Sequence, residues 1–199
     1  MPFFGRGRRN RFGTPQVDME KYPMPPTVAP CKRKFEKVSF EQFYKDMKKF
    51  LGGYAEESEI QKLYDLIKLP RRATTYSAGY DFFAPIQFML PADKTIKIPT
   101  GIKVHCCRNE FLAIHVRSST GFKYNVNLLN ATGIIDHDFA NNPENEGHIW
   151  MGFKNHGEGE WAVSQGEAFG QGIFMKYAIT DDDEPKSEER VGGIGSSSK

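Results

Sequence analysis

Residues 130–139 place a side-chain amide, a glycine, two carboxylates and an aromatic ring within ten positions of the chain. Two isoleucines lead into Asp136, a pattern typical of a strand that ends in a tight turn. The amide of Asn130 and the open backbone near Gly133 could read the edge of a small planar ring. Asp136 could then accept a proton from water, and Phe139 could lie flat against a sugar or a base. The alternative is a hairpin that ends in a solvated acidic turn.

A second group of residues has the chemistry to bind phosphate. Arg117, Ser118 and Ser119 follow an apolar run at 111–116 that indicates a buried strand. A guanidinium and two hydroxyls at the end of a strand, followed by a threonine and a glycine, predict a loop suited to phosphate oxygens. The alternative is a surface turn with a structural arginine.

A third group lies in residues 190–197, which are rich in glycine and serine. Glycine lets the backbone lie close against a ligand, and Arg190 adds a rigid bidentate cation. Ser196 and Ser197 supply hydroxyl donors. A disordered Gly/Ser tail is the alternative. The two interpretations are compatible, because such a tail can be mobile when empty and ordered when phosphates bind.

These segments belong to an ordered series of short motifs. The series runs through residues 77–83, 98–102, 116–121, 130–139, 166–171 and 190–197. In order and spacing these six segments include a close resemblance to the five motifs of the trimeric dUTP pyrophosphatase (dUTPase) family, over approximately residues 69–199. The resemblance implies a jelly-roll-like β-barrel and a homotrimer with active sites shared between subunits. It also implies Mg²⁺-dependent hydrolysis of dUTP to dUMP and pyrophosphate.

The resemblance further implies a role for each motif residue. Asp136 would be the catalytic base that activates water for attack on the α-phosphate. Asp81 would hold the waters around Mg²⁺, an outer-sphere role. The implied substrate-binding residues are Arg117, Ser118, Ser119, Asn130, Gly133, Ile135, Phe139, Gln171, Arg190, Ile194, Gly195, Ser196 and Ser197. Such an activity would limit uracil incorporation into DNA and supply dUMP for dTMP synthesis.

The chain departs from the family pattern at four motif positions. Phe139 stands where many members have tyrosine, so stacking is kept while a phenol hydrogen bond is lost. Ala168 replaces a common arginine, Ile194 replaces a phenylalanine that can stack on the base, and Val116 replaces a proline. The changes at Ala168 and Ile194 leave open a function of another class, a nucleotide-gated regulatory or binding protein with this fold. The retained acids and arginines of the motifs favour an active enzyme.

A competing enzyme, dCTP deaminase, shares this fold and several of these signatures. It requires a second arginine shortly after the Arg-Ser-Ser segment and a glutamate on the strand after the hairpin. This chain has Phe122 and Gly152 at those places. Because the deamination then lacks its base, we reject the deaminase interpretation.

The sequence divides into four parts on composition and periodicity. Residues 1–38 form a flexible leader rich in arginine, proline and glycine, and residues 39–69 form a helical extension. Residues 70–180 form the predicted β-barrel, and residues 181–199 form a mobile acidic arm that carries the last motif. For the leader, a weak contact with nucleic acid is the alternative to simple disorder; the four arginines within residues 1–11 give only weak, salt-sensitive binding.

The helical extension contains two predicted helices. Ser39 with Gln42 predicts a capping box, and Gly52 with Gly53 ends the first helix. Helically spaced apolar residues form one face on each, namely Phe40, Phe43, Tyr44, Met47, Phe50 and Leu51, then Ile60, Leu63, Tyr64 and Ile67. We expect these faces to pack on each other or on the barrel; a partner-binding helical hairpin is the alternative.

The barrel region shows short apolar runs broken by glycine, proline and asparagine. The predicted strands lie at 95–98, 111–116, 148–153, 161–163 and 172–179. Residues 141–146 are longer than the usual turn after the hairpin, and the sequence assigns them no role.

Composition limits the remaining function classes. A formal net charge of +2 over 199 residues is too small to make nucleic acid or a membrane the main partner. Cys31, Cys106 and Cys107 show no metal-site spacing and predict a reducing, cytoplasmic location without structural zinc. The five histidines are scattered without ligand spacing and are interpreted as structural. No apolar stretch approaches the length of a membrane span.

Overall fold

Each of the five apolar runs predicted as strands overlaps a strand of this fold. The computed structural model describes residues 31–185. Its strands are β1 (Lys34–Lys37), β2 (Arg71–Arg72), β3 (Tyr80–Phe83), β4 (Phe88–Leu90), β5 (Thr95–Pro99), β6 (Ile102–His105), β7 (Glu110–His115), β8 (Val126–Leu128), β9 (Gly133–Ile135), β10 (Trp150–Asn155), β11 (Trp161–Val163) and β12 (Ala168–Lys176). Its helices are α1 (Phe40–Phe50), α2 (Glu57–Asp65) and α3 (Ser118–Tyr124), with a 3₁₀ turn at His137–Phe139.

The strands pair antiparallel in four small sheets. The largest has the order β2-β3-β12-β7-β9, and a second has the order β5-β10-β8. Two further pairs join β1 to β6 and β11 to β4. The mainly β prediction with a helical extension is confirmed. Among residues 31–185 no helix has the length and apolar character needed to cross a bilayer.

One apolar core joins the extension to the sheets. Phe43 and Met47 of α1 and Ile60 of α2 are fully buried in the same cluster as Phe82 and Phe153 of the sheets. The predicted faces of both helices are therefore confirmed, and they pack on each other and on the barrel.

Gly101 allows α1 to approach the barrel closely. Its φ of +74° is a conformation that favours glycine, and a Cβ there would meet the Phe43 ring at 3.2 Å as well as the Ile67 side chain. A bulkier residue at position 101 would push the helices away from the sheets.

The cap of α1 differs from the predicted capping box. The Ser39 hydroxyl does accept from the Gln42 backbone N–H at 3.1 Å. The Gln42 side chain, however, donates to Asp46 at 2.7 Å, and the Ser39 backbone N–H donates instead to Glu146 at 2.9 Å. Segment 141–146, to which the sequence assigns no role, thus supplies the reciprocal cap, a long-range contact that local spacing does not show.

The start of the described chain is tied to the barrel. Within the predicted leader, β1 pairs with β6, and Arg33 donates to Glu110 at 2.5 Å. Cys31 and Cys107 form a disulfide, with a Cα–Cα distance of 5.7 Å across a sequence separation of 76. The sequence did not predict this pairing, because cysteine spacing cannot identify partners so far apart in the chain.

Candidate active site

The first group of functional side chains lies on the five-stranded sheet. Asp81 of β3 stands opposite Gln171 of β12. Arg117, directly after β7, donates from Nε to Asp81 Oδ1 at 3.1 Å and from Nη1 to the Ala168 carbonyl at 3.2 Å. The Gln171 amide donates to the Val116 carbonyl at 2.9 Å. Three predicted residues from three motifs are therefore brought together, and Arg117 is held in a fixed orientation.

The two serines after Arg117 occupy the first turn of a helix. Arg117 is the N-cap of α3, with φ −75° and ψ 150°, and Ser118 and Ser119 are exposed. The prediction that Ser118 and Ser119 lie in a loop is therefore wrong, because they begin a helix. The helix has only seven residues and includes Gly121, so it is too short for an apolar periodicity to reveal it.

The second group lines a cavity beside the β8–β9 hairpin. The cavity has a volume of about 820 Å³, and its lining includes Asn130, Gly133, Ile135 and Phe139. The predicted base-reading residues thus face one space. Phe139 is only 4% exposed, so its ring forms part of the cavity wall rather than a projecting plate.

Gly133 and the edge position of β9 shape this cavity. A Cβ at Gly133 would meet the Ile114 Cβ at 3.0 Å, so the glycine permits close pairing with β7. Since β9 pairs with β7 alone among the described strands, its outer edge presents backbone donors and acceptors. Such an edge is suited to hydrogen bonding with a planar heterocycle.

Asp136 lies at the end of the same hairpin. It is the N-cap of the 3₁₀ turn, and it borders a separate recess of about 1110 Å³ whose lining also includes His105, Arg108 and His137. The His137 Nδ1 lies 2.6 Å from the Cys106 carbonyl, which fixes the turn to the end of β6. The predicted base is therefore on a restrained turn, next to the cavity rather than in its lining.

Asp81 and Asp136 are far apart within one chain. Gln171 of β12 pairs with Asp81 on one side and with His115 on the other. Asp136 directly follows Ile135 of β9, which pairs with Leu112 of β7. Three strand spacings of about 4.8 Å and four residues of about 3.4 Å place the Cα atoms of the two acids about 20 Å apart. Within one chain the two side chains therefore do not contact each other.

Other predicted site residues lie outside the described range. Arg190, Ile194, Gly195, Ser196 and Ser197 follow residue 185. Their predicted contacts with phosphates and base stay predictions.

The sequence interpretation missed several residues around the cavity. Asp46 and Lys49 of α1 line it together with Glu144, Asn145 and Trp150. No motif marks these positions. Only the polar face of the amphipathic α1 indicates where Asp46 and Lys49 would lie.

Asp46 is the centre of a hydrogen-bond network at this wall. Its carboxylate lies 2.5 Å from His148 Nδ1 and accepts from the Gln42 amide. Burial acts to raise the pKa of Asp46, but the hydrogen bonds from His148 and Gln42 outweigh it and hold the pKa below its usual value. The prediction that His148 is structural is confirmed, because its ring is fully buried and bonded on both nitrogens.

The donor chemistry is compatible with a magnesium ion carried by phosphates. Among residues 31–185, no group of three His, Cys, Asp or Glu side chains is arranged to hold a metal. Mg²⁺ typically keeps several waters and binds through phosphates and one or two carboxylates. A single carboxylate such as Asp81, part-buried beside Arg117, fits that mode.

A family model decides between the interpretations of these motifs. The dUTPase model matches residues 65–198, well over half of the chain. The chain belongs to the dUTPase family. The motif residues discussed above fall inside the matched region, whereas α1 lies outside it.

Individual dUTPases agree with this assignment. The deoxyuridine 5′-triphosphate nucleotidohydrolase of Lactococcus lactis is 40% identical over 131 residues, covering 65% of this chain and 87% of that protein. The enzyme of the same name from Tolumonas auensis is 33% identical, covering 66% of this chain and 87% of that protein. The crystal structure of dUTPase from Streptococcus mutans superposes with a TM-score of 0.56 at 31% identity, covering 74% of this chain and 98% of that one.

Proposed function

We propose that this protein is a dUTP diphosphatase that hydrolyses dUTP to dUMP and pyrophosphate with Mg²⁺. The observation that carries the proposal is the hairpin: Asn130, Gly133 and Ile135 face one cavity, and Asp136 follows directly on the same turn. Family membership and the nucleotidohydrolase names of the relatives support it.

Base recognition would come from the β8–β9 hairpin. The Asn130 amide offers both a donor and an acceptor, and the outer edge of β9 adds backbone groups. Uracil presents such an alternation of donor and acceptor on one edge. Phe139 in the cavity wall would pack against the deoxyribose and exclude a ribose 2′-hydroxyl.

Hydrolysis would proceed by attack of water on the α-phosphorus. Asp136 would orient this water and accept its proton, which typically contributes about 10²–10⁴ in rate. Arg117, Ser118, Ser119 and Gln171 would hold the phosphates or the residues that contact them, and the predicted arm from Arg190 to Ser197 would cover them. Charge stabilisation and alignment would therefore supply the larger share of the acceleration.

Asp81 is the candidate residue for the metal. When bound with the triphosphate, Mg²⁺ would supply positive charge to the phosphate oxygens. The Asp81 carboxylate would accept hydrogen bonds from water around the ion, while its bond to Arg117 fixes its orientation.

We further propose a homotrimer with shared active sites. The separation of about 20 Å between the Cα atoms of Asp81 and Asp136 supports an arrangement in which the phosphate-binding residues of one chain face the β8–β9 hairpin of another. A closed symmetric assembly repeats that pairing at each interface.

The cellular role and location are proposals as well. The reaction would limit uracil incorporation into DNA and supply dUMP for dTMP synthesis. An intracellular, cytoplasmic location would require the Cys31–Cys107 bond to form or persist under reducing conditions. The arginines of residues 1–11 lie outside the described residues, so their weak contact with nucleic acid stays a prediction.

The surroundings of Gly152 oppose the deaminase alternative. A Cβ at this position would meet Leu129 Cδ1 at 2.8 Å and Lys97 Cγ at 3.5 Å. The cavity therefore has neither a carboxylate at this position nor ready space for one. A nucleotide-gated regulator remains the second candidate, favoured by Ala168 in place of the family arginine.

One experiment separates the enzyme from the regulator. We expect pyrophosphate release from dUTP with Mg²⁺, and loss of turnover with retained binding in Asp136→Asn. Tight dUTP binding by the wild-type protein without turnover would contradict the enzyme and support the regulator.

A further inference from the structure

We propose that α1 is a functional wall of the nucleotide cavity, with Lys49 as a binding residue for the anionic nucleotide and Asp46 as the positioning residue. This inference rests on the proposed function. It assigns a role to a helix outside the family-matched region, residues 65–198.

The lining of the cavity carries the first step. Asp46 and Lys49 line the same space of about 820 Å³ as Asn130, Gly133 and Ile135. A helix residue and its third neighbour lie on the same face. Both side chains therefore lie on one face of α1, and that face forms part of the cavity wall.

Buried hydrogen bonds hold that wall in place. The Gly101 N–H donates to His148 Nε2 at 2.7 Å, so this nitrogen is an acceptor. The proton of the neutral ring is then on Nδ1, which donates to Asp46. Because His148 is fully buried, loss of the carboxylate leaves this donor without its partner.

The same network reaches β10, which also lines the cavity. His148 precedes β10, and its ring centroid lies 6.1 Å from that of Trp150, which lines the cavity. Met151 and Gly152 follow in the same lining. Asp46 thus joins α1 to the strand that forms the adjacent wall, which makes it a positioning residue.

Lys49 supplies the charge at this wall. It is exposed, and Lys97 on β5 adds a second ammonium to the same lining. The carboxylates of Asp46 and Glu144 lie in the same lining, so the attraction of a polyanion is local to each ammonium group, and salt screens it. The adjacent Lys48 is not in the lining; it donates to the Tyr44 hydroxyl at 3.0 Å.

Adjacent lysines provide a matched test of binding. We expect Lys49→Ala to raise KM for dUTP about two- to fivefold with kcat kept, and high salt to remove the difference. Lys49→Arg restores KM, and Lys48→Ala leaves it at the wild-type value. Equal KM values for Lys49→Ala, Lys48→Ala and wild type would overturn the binding role.

The positioning role has its own readout. In Asp46→Ala, which removes the acceptor for His148, we expect KM for dUTP to rise while kcat per folded enzyme stays near the wild-type value. A lowered melting temperature with an unchanged KM would show a purely structural role and overturn it. If Asp46→Ala does not fold, the comparison of Lys49→Ala with Lys48→Ala still decides whether α1 is part of the site. Absence of turnover in the wild-type protein would instead refute the proposed function itself.

Discussion

Glu146 accepts two hydrogen bonds from Ser39, one from the backbone N–H at 2.9 Å and one from the hydroxyl at 2.6 Å. The carboxylate therefore caps α1 from a segment 107 positions away along the chain. Lys103 of β6 lies 3.8 Å from the same carboxylate. The extension and the barrel are joined at this point, close to the wall of the nucleotide cavity.

We predict that Glu146→Gln destabilises the protein by about 1 kcal/mol at neutral pH, the usual cost of a lost cap. Burial acts to raise the pKa of Glu146, but the hydrogen bonds from Ser39 outweigh it and hold the pKa below its usual value. The stabilisation is thus fully present above the pKa of an unfolded-state glutamate, about 4.3, and is lost as the pH falls through the lower folded-state pKa.

Urea unfolding of both proteins across this pH range measures the effect. Glu158→Gln, a change at an exposed position, serves as the control. A Glu146→Gln difference that persists unchanged well below pH 4 would contradict the role of the carboxylate charge.

The Cys31–Cys107 disulfide yields a second prediction. Cys107→Ser, or a dithiol reductant, is expected to lower the free energy of unfolding by about 2–4 kcal/mol. Burial raises the pKa of the Cys106 thiol to about 11, so this thiol is expected to resist alkylation at pH 8. Unfolding titrations with and without reductant measure the loss, and Cys106→Ala is the control that keeps its reductant sensitivity. A wild-type free energy of unfolding that is the same with and without reductant would contradict the Cys31–Cys107 pairing.

The distance between Asp81 and Asp136 predicts complementation between subunits. Asp81→Asn and Asp136→Asn are each expected to be inactive alone. When equal amounts of the two variants are unfolded together and reassembled, random association gives about a quarter of the shared sites both intact acids. Pyrophosphate release that recovers toward this fraction supports shared sites. No recovery, in mixed trimers verified by mass spectrometry, would place each site within one chain.

Gly152 yields a prediction about the shape of the cavity. In Gly152→Ala the new methyl group displaces Leu129 into the cavity, and we expect kcat/KM for dUTP to fall about tenfold. Gly159→Ala is the matched control, because a Cβ there meets nothing within 4 Å. Steady-state kinetics on both variants measure the effect; equal values would show that Gly152 does not limit the space for substrate.

The sequence predicted those elements whose information is local. Strand β11 at 161–163 was predicted at its observed limits, and β5 within one residue. Strand β10 begins two residues later than predicted, and β12 begins at Ala168 rather than 172. The glycines in β12 account for the latter difference, because they interrupt the apolar run that marks a strand.

The sequence could not predict features that depend on distant contacts. Glu146 caps α1, Cys31 bonds Cys107, and Asp46 meets His148, all across large separations with no local pattern. The motifs marked Asp81, Arg117 and Gln171 individually, and the sheet register explains how the structure brings them together. They did not show that Asp136 lies far from this group, because motif order carries no distance between strands.

The central claim is tested most directly by pyrophosphate release from dUTP, dCTP, dTTP and UTP, with and without Mg²⁺, by the wild-type protein and by Asp136→Asn. We predict Mg²⁺-dependent release from dUTP in strong preference to the other three nucleotides. In Asp136→Asn we predict a kcat lower by about 10²–10⁴ with dUTP binding retained. Wild-type protein that binds dUTP without releasing pyrophosphate, or Asp136→Asn that turns over at the wild-type rate, would contradict the account.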